Sequence, residues 1–298
     1  MKYFVAQGED RNFGISTRST LRGSYIELFD GVTHYELLGP EAGEIVVLVG
    51  GLTVPLFYWD QVVAVLHDAG LRTLTYSSYG RGYSDRIRGT YDDALFIRQI
   101  NDLIQSLNIT EPLHVVGASM GALIAMEYVS QNAVSVSSLT IAGPAGLAKK
   151  PLALRLLQSS DSLAGFVAKN FGRKLLAKHE SNDLGDRARA AELSAMLQDA
   201  YQYEGSLYAV FDTVQHFNLF NRTALYKAVS ASYVPSMLIW GKDDLVTPID
   251  NLDEARDLLQ PEQSHVLECG HMVPFERSRD VANLIQAFIK IHSMRSTS

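Results

Sequence analysis

His114-Val115-Val116-Gly117-Ala118-Ser119-Met120-Gly121-Ala122-Leu123 puts a serine where one periodicity gives way to another. Residues 113–116 form a short apolar run suited to a buried strand, whereas Ala122, Leu123, Ala125, Met126 and Val129 recur at helical spacing. Ser119 therefore falls in the turn between strand and helix. Glycines two before and two after it leave no side chains where the two elements must cross, so the turn can be sharp and the hydroxyl can project. A helix beginning at Met120 presents unpaired backbone N–H groups beside that hydroxyl, a ready site for negative charge.

A nucleophilic serine needs a base and a group that orients the base. Downstream, residues 236–240 read as a buried strand ending at Gly241-Lys242-Asp243-Asp244, which puts two carboxylates just past a strand end. Residues 265–268 read as a last strand, followed by Gly270-His271-Met272-Val273-Pro274. Serine, aspartate and histidine thus occur in that order. With these three motifs the chain resembles the α/β-hydrolase superfamily from about residue 24 to its final helix.

The resemblance implies a catalytic set of Ser119, Asp244 and His271. Members commonly carry the acid three residues after the strand-terminal glycine, which from Gly241 reaches Asp244 and leaves Asp243 as its solvated neighbour. It also implies an oxyanion hole from the backbone N–H groups of Leu52 and Met120, with Gly51 beside the substrate. This chain has Gly50 where histidine is common in that loop, and so lacks a side chain that usually braces it. Residues 136–142 form another strand, but it ends without a carboxylate, so the pair at 243–244 is the only acid offered in the required order.

Outward from the serine, residues 24–29 and 32–38 are two β-like runs joined at Asp30-Gly31, which suits a type I′ hairpin turn. Residues 45–49 are continuously apolar, as in a strand buried on both faces, and a helix is expected over 55–69. A strand at 72–76 leads into Tyr79-Gly80-Arg81-Gly82-Tyr83-Ser84-Asp85-Arg86. This is no dinucleotide fingerprint, since the third glycine would fall at Asp85 and no helix starts directly after it. It resembles a structural loop of the superfamily in which the strand ends in aspartate where this chain has Ser77, and Arg81, Asp85 and Arg86 are expected to anchor it. A long amphipathic helix should follow over 91–107, and the chain should close with one over 279–291.

From 147 to 233 strand alternation stops and helical spacing takes over, with Leu152, Leu156, Leu157, Phe166, Leu193, Met196 and Leu197 among the periodic positions. The expected fold class is α/β: a mostly parallel, doubly wound sheet with an inserted helical lid. Residues 1–146 and 234–298 would form the core and 147–233 the lid. In such sheets ligands bind at the carboxyl ends of the strands, where all the proposed catalytic residues lie. Six aromatic residues crowd the lid between Tyr201 and Phe220. Of these, Tyr208 and Phe211 are expected to contact substrate.

Hydrophobic residues make up 47% and charged residues 20% of the 298, the balance of a folded enzyme. A net charge of −7 with no basic cluster beyond pairs such as Lys149-Lys150 excludes a general nucleic-acid binder. The single cysteine, Cys269, excludes an internal disulfide and sits in an apolar setting, which fits a cytoplasmic location. No signal-like or membrane-spanning apolar run is present, and the polar ends, 1–22 and 294–298, are expected to be loose. No metal motif occurs, so neither metal nor other cofactor is expected. His34, His67, His114, His179, His216 and His265 read as packing or surface residues.

The expected activity is serine-dependent hydrolysis of a carboxylic ester, lactone or thioester of a small, moderately apolar substrate through an acyl-enzyme, as in the monoacylglycerol lipases, methylesterases and lactonases of the superfamily. Carbon–carbon bond hydrolysis of a β-diketone-like substrate uses a similar triad, but tryptophan commonly follows the Gly-His pair there and Met272 stands in this chain. A slow-turnover ligand sensor on the same fold is the third alternative. Sequence sets no oligomeric state.

Overall fold

A computed structural model describes residues 1–183 and 187–293. The expected loose end at 294–298 and the side chains of Leu157 and His179 lie outside what is described. Among the described residues, eight strands form one sheet: β1 (Ser24–Glu27), β2 (Val32–Leu38), β3 (Ile45–Val49), β4 (Arg72–Tyr76), β5 (Leu113–Ala118), β6 (Val136–Ala142), β7 (Ser236–Gly241) and β8 (Gln263–Leu267). They lie in the order β1-β2-β4-β3-β5-β6-β7-β8. β2 runs antiparallel to both β1 and β4, and every pairing from β4 to β8 is parallel.

β3 shows why the sheet is covered twice. Its five residues are all buried, and their side chains alternate between two cores. Val47 and Val49 share one core with Leu123 and Met126 of the helix Met120–Asn132 and with Ile100 and Leu103 of the helix Asp93–Ser106. Val46 and Leu48 share the other core with Val62 and Leu66 of the helix Asp60–Asp68 and with Ile285 and Phe288 of the helix Ser278–Ser293. Each such side chain contributes about 1.5–3 kcal/mol by leaving water, so a polar residue at any of them would unseat one layer.

The strand order reverses at β3 and β5. The chain leaves β3 toward β4 on one side and leaves β5 toward β6 on the other, so the loops after β3 and β5 diverge and open a crevice at their carboxyl ends. Between β6 and β7 stand the helices Leu152–Gln158, Asp161–Asp183, Arg187–Ala200, Ser206–His216 and Thr223–Ala231. The last of these packs on Met120–Asn132 and on the helix Leu252–Leu259, joining the cover of the sheet.

Two local expectations are corrected. The β1–β2 link is not a type I′ turn, because that turn needs positive φ at both central residues and Asp30 is not among the positive-φ residues. Glu27 pairs with Val32 instead, and the four residues between are closed by the Leu28 N–H donating to the Gly31 carbonyl at 3.0 Å. The polar N-terminal stretch is also not loose. The buried Glu9 carboxylate accepts from the amides of Ala6 (2.8 Å), Gly205 (3.0 Å) and Leu207 (2.7 Å), so it caps the helix Ser206–His216 from 196 to 198 residues away.

His34 on β2 is fully buried, with Nε2 donating to the Arg22 carbonyl at 2.9 Å and Nδ1 3.1 Å from Ser77 Oγ. Burial, with the nearby arginines, pushes its pKa down to about 4. The folded value lies below the unfolded one, so as pH falls the unfolded chain takes up this proton first. The neutral ring's contribution is intact above about pH 6.5 and drains away down to about pH 4. We expect urea unfolding to show about 2 kcal/mol less stability at pH 5 than at pH 7 from this residue. His34→Gln should remove that increment. An identical pH dependence in the variant would contradict the assignment.

Candidate active site

Ser119 closes β5 with φ 55° and ψ −118°, a conformation that costs a non-glycine residue free energy and is held by its surroundings. Its N–H donates to the Ala142 carbonyl at 3.0 Å, and its carbonyl accepts from Ala145 at 3.2 Å. The flanking glycines are steric requirements. A Cβ at 117 would stand 2.4 Å from the Gly121 carbonyl oxygen, and one at 121 would stand 2.3 Å from the Val49 carbonyl oxygen. Strand, turn and helix can therefore close only with glycine at both positions.

The loops after β7 and β8 bring two more groups to this hydroxyl. His271 Nε2 lies 2.9 Å from Ser119 Oγ, and His271 Nδ1 lies 2.8 Å from Asp244 Oδ2. The loops fit together because Gly241 has no side chain. A Cβ there would be 2.0 Å from the Gly270 carbonyl oxygen. Asp244 and His271 are both buried, and the carboxylate is fully engaged. Oδ1 accepts from the amides of Val246 (2.9 Å) and Thr247 (2.8 Å), and Oδ2 accepts from Thr247 Oγ1 at 2.8 Å. Asp243 is exposed. Since the carboxylate can only accept, Nδ1 carries its proton toward Asp244, and Nε2 is left to accept the serine proton.

The loop after β3 lies opposite. Gly51, Leu52, Ser119, His271 and Met272 are among the residues lining a small cavity of about 20 Å³. Met120 opens its helix, so its amide belongs to the first turn, whose N–H groups lack partners within the helix. The brace expected of a histidine at position 50 comes from elsewhere. Arg81, 1% exposed, donates through Nε to the Leu52 carbonyl at 2.7 Å, through Nη1 to the Tyr79 carbonyl at 2.9 Å and through Nη2 to Thr213 Oγ1 at 2.9 Å. Tyr201 OH holds the next carbonyl, of Thr53, at 3.1 Å. Burial lowers the pKa of Arg81.

These contacts fix the peptide of Leu52, the residue expected from the sequence to offer its N–H to an oxyanion. Arg81→Met is expected to lower kcat about ten- to a hundredfold with little change in KM, because a small misplacement of a group at the reacting centre costs that much. Steady-state kinetics on a soluble ester checks it. A change confined to KM would contradict it.

A cavity of about 280 Å³ stands over Ser119 and is lined mainly by apolar side chains. Phe211 lines it with Phe220, Val210 and Val214. Tyr208 does not. It is buried on a neighbouring face of its helix, packed edge-on to Tyr3, Phe4 and Tyr91, with its hydroxyl donating to the Gly89 carbonyl at 2.8 Å. One turn of helix therefore separates a core aromatic from a cavity aromatic. Leu175, Leu176, Leu219 and Val246 also line the cavity, and aromatic content gave no hint of these aliphatic positions. Thr247 was missed as well, although a hydroxyl three residues after an aspartate in a loop is a local hydrogen-bonding signal.

Cys269 is buried, and burial pushes its thiol up to about 12, so it packs as a small apolar residue. No helix among the described residues is long and apolar enough to cross a membrane.

Comparison with known proteins places the fold among relatives. Mouse monoacylglycerol lipase ABHD6 is 28% identical over 219 residues, covering 70% of this chain and 65% of the lipase, so the chain spans just under two thirds of that relative's length. The 3-oxoadipate enol-lactonase 1 of Acinetobacter baylyi is 24% identical over 266 residues, covering 86% of this chain and 92% of the lactonase. A thermophilic esterase from Thermogutta terrifontis superposes with a TM-score of 0.77 at 18% identity over 91% of this chain and all of that one, a likeness of fold. The model of the alpha/beta hydrolase fold family matches residues 44–278, which takes in β3 to β8 and the serine, aspartate and histidine loops, and the chain belongs to that family.

Proposed function

We propose that the protein is a serine hydrolase that cleaves a carboxylic ester, lactone or thioester of a moderately apolar substrate through an acyl-enzyme. One observation carries this: the unbroken hydrogen-bonded line from Ser119 Oγ through His271 to Asp244, set at the floor of an apolar cavity. Ser119 Oγ attacks the carbonyl carbon while His271 Nε2 takes its proton. The same nitrogen then gives the proton to the departing oxygen or sulfur. Water, deprotonated by His271, attacks the acyl-enzyme, and the acid leaves as Ser119 regains its proton. Asp244 holds the imidazole in the productive tautomer and offsets the imidazolium charge. The backbone N–H groups of Leu52 and Met120 receive the oxyanion, each worth roughly 10²–10³ in rate.

The relatives support the ester and lactone classes by their names, monoacylglycerol lipase and enol-lactonase. Phe211 and the aliphatic cavity wall favour an apolar acyl or alcohol group, and the helical insertion would serve as the lid above it. The test is fluorophosphonate labelling with mapping of the modified residue, then a panel of p-nitrophenyl esters, lactones, thioesters and one β-diketone. Turnover should fall on esters or lactones. Preference for the β-diketone would move the chemistry to carbon–carbon cleavage, and labelling of Ser119 without turnover on any member would favour a ligand sensor.

A further inference from the structure

The helices that follow β6 turn apolar side chains into solvent. Leu152 and Leu156, one turn apart on Leu152–Gln158, are 75% and 69% exposed, and Leu163, Phe166, Phe171 and Leu175 on Asp161–Asp183 are 44% to 60% exposed. These two helices pack on each other, and the rings of Phe166 and Phe171 meet edge to face at 6.4 Å. Single exposed apolar residues are ordinary, but six within 24 residues on adjoining helices form a patch, and patches of this kind mark interaction surfaces. Leu175 both belongs to the patch and lines the cavity over Ser119, so the two are continuous.

The sequence shows only scattered basic residues and pairs here, such as Lys149-Lys150, but their sum gives this segment a charge of opposite sign to that of the chain. Residues 149–178 carry seven Lys and Arg against one carboxylate, Asp161, in a protein whose net charge is −7. Glu180 and Asp183 follow only at the far end of the long helix. Lys149, Arg155, Lys169 and Lys174 are exposed and interleave with the apolar side chains.

We propose that this face docks on an anionic lipid surface, with the cavity mouth at Leu175 opening onto it. Exposed Phe and Leu side chains interleaved with lysines match an interfacial helix: the rings and branched chains enter the headgroup boundary, and the lysine stems lie along it with their ammonium groups at the phosphates. A second copy meeting this face would bring two positively charged surfaces together, whereas an anionic bilayer gains from each cation. The consequence for substrate rests on the hydrolase reading above: the natural ester would be one that partitions into membranes.

Co-sedimentation of the full chain with vesicles tests the docking without reference to catalysis. We expect binding to vesicles of about three parts phosphatidylglycerol to seven of phosphatidylcholine. Affinity should be roughly tenfold or more weaker for phosphatidylcholine alone, and also in roughly 0.5 M salt. Leu156→Gln/Phe166→Gln and Lys169→Glu/Lys174→Glu should each lose at least about tenfold in vesicle affinity, with thermal unfolding and p-nitrophenyl acetate turnover unchanged, because these residues are exposed and lie outside the cavity lining. No wild-type binding, or equal binding by wild type and both variants, overturns the proposal. A dimer in sedimentation velocity that Leu156→Gln/Phe166→Gln dissociates, without vesicle binding, overturns it in favour of a second copy. Vesicle binding with no p-nitrophenyl acetate turnover would sustain the docking while the hydrolase reading failed.

Discussion

Ser119→Ala is expected to lower ester turnover by roughly 10⁵–10⁶-fold and to abolish covalent labelling by a fluorophosphonate, while the protein stays folded. The size follows from how a triad works: the nucleophile and its base act as one unit, so removing either forfeits nearly the whole covalent route. Retention of the fold follows from what the substitution leaves. The strained φ of 55° is fixed by backbone hydrogen bonds to Ala142 and from Ala145 and by the two glycines, none of which involves Oγ. Thermal unfolding and circular dichroism should match wild type. Labelling that persisted in Ser119→Ala would sink the assignment, and mapping would show where it went. Ser78 and Ser84 are the nearest sequence competitors in a polar loop. Both are buried, and Ser84 Oγ already donates to the Ser77 carbonyl at 2.6 Å and accepts from the His34 amide at 2.9 Å.

What the sequence could disclose is what short-range rules govern. The strand-to-helix change around Ser119, the apolar run of β3 and the helix capped by Asp92 each follow from residues within a turn or two of one another. The order of the strands and the Gly241–Gly270 approach were not read from the sequence, because both are set between segments far apart in the chain. The contacts that escaped are those made across the chain. Glu9 caps a helix about two hundred residues away, and Arg81 replaces a missing brace from a different loop. No periodicity announces either. Tyr208 and Phe211 show the limit most plainly. Three residues on one helix differ by about 300° of rotation, which is about 60° apart around the axis, and packing of Tyr3 and Phe4 against that helix decides which ring faces the cavity. The Asp30-Gly31 turn failed for a related reason: dipeptide preference is weak, and pairing of Glu27 with Val32 set a longer loop.

The two adjacent carboxylates give the sharpest test of the site. Asp244 is 3% exposed with Oδ2 2.8 Å from His271 Nδ1, whereas Asp243 is exposed and only its backbone N–H is engaged in the loop, donating to the Cys269 carbonyl at 3.0 Å. Asn at 244 would keep the shape and most of the loop's hydrogen bonds. Facing the imidazole with its amide NH₂, however, it would require Nδ1 to accept, and the ring proton would move to Nε2, where it blocks proton transfer from Ser119. In a serine protease the same aspartate-to-asparagine change costs about 10⁴ in turnover, or about 5 kcal/mol of barrier. We expect Asp244→Asn to fall by that order and Asp243→Asn by less than about tenfold, since it removes one solvated charge. The same ranking should hold for the rate of fluorophosphonate labelling, which needs the activated serine but no second step. Reversed ranking in both assays would make Asp243 the orienting acid. Two mild effects would mean that His271 is oriented without either carboxylate, and the buried Asp244–Thr247 loop would then serve packing alone.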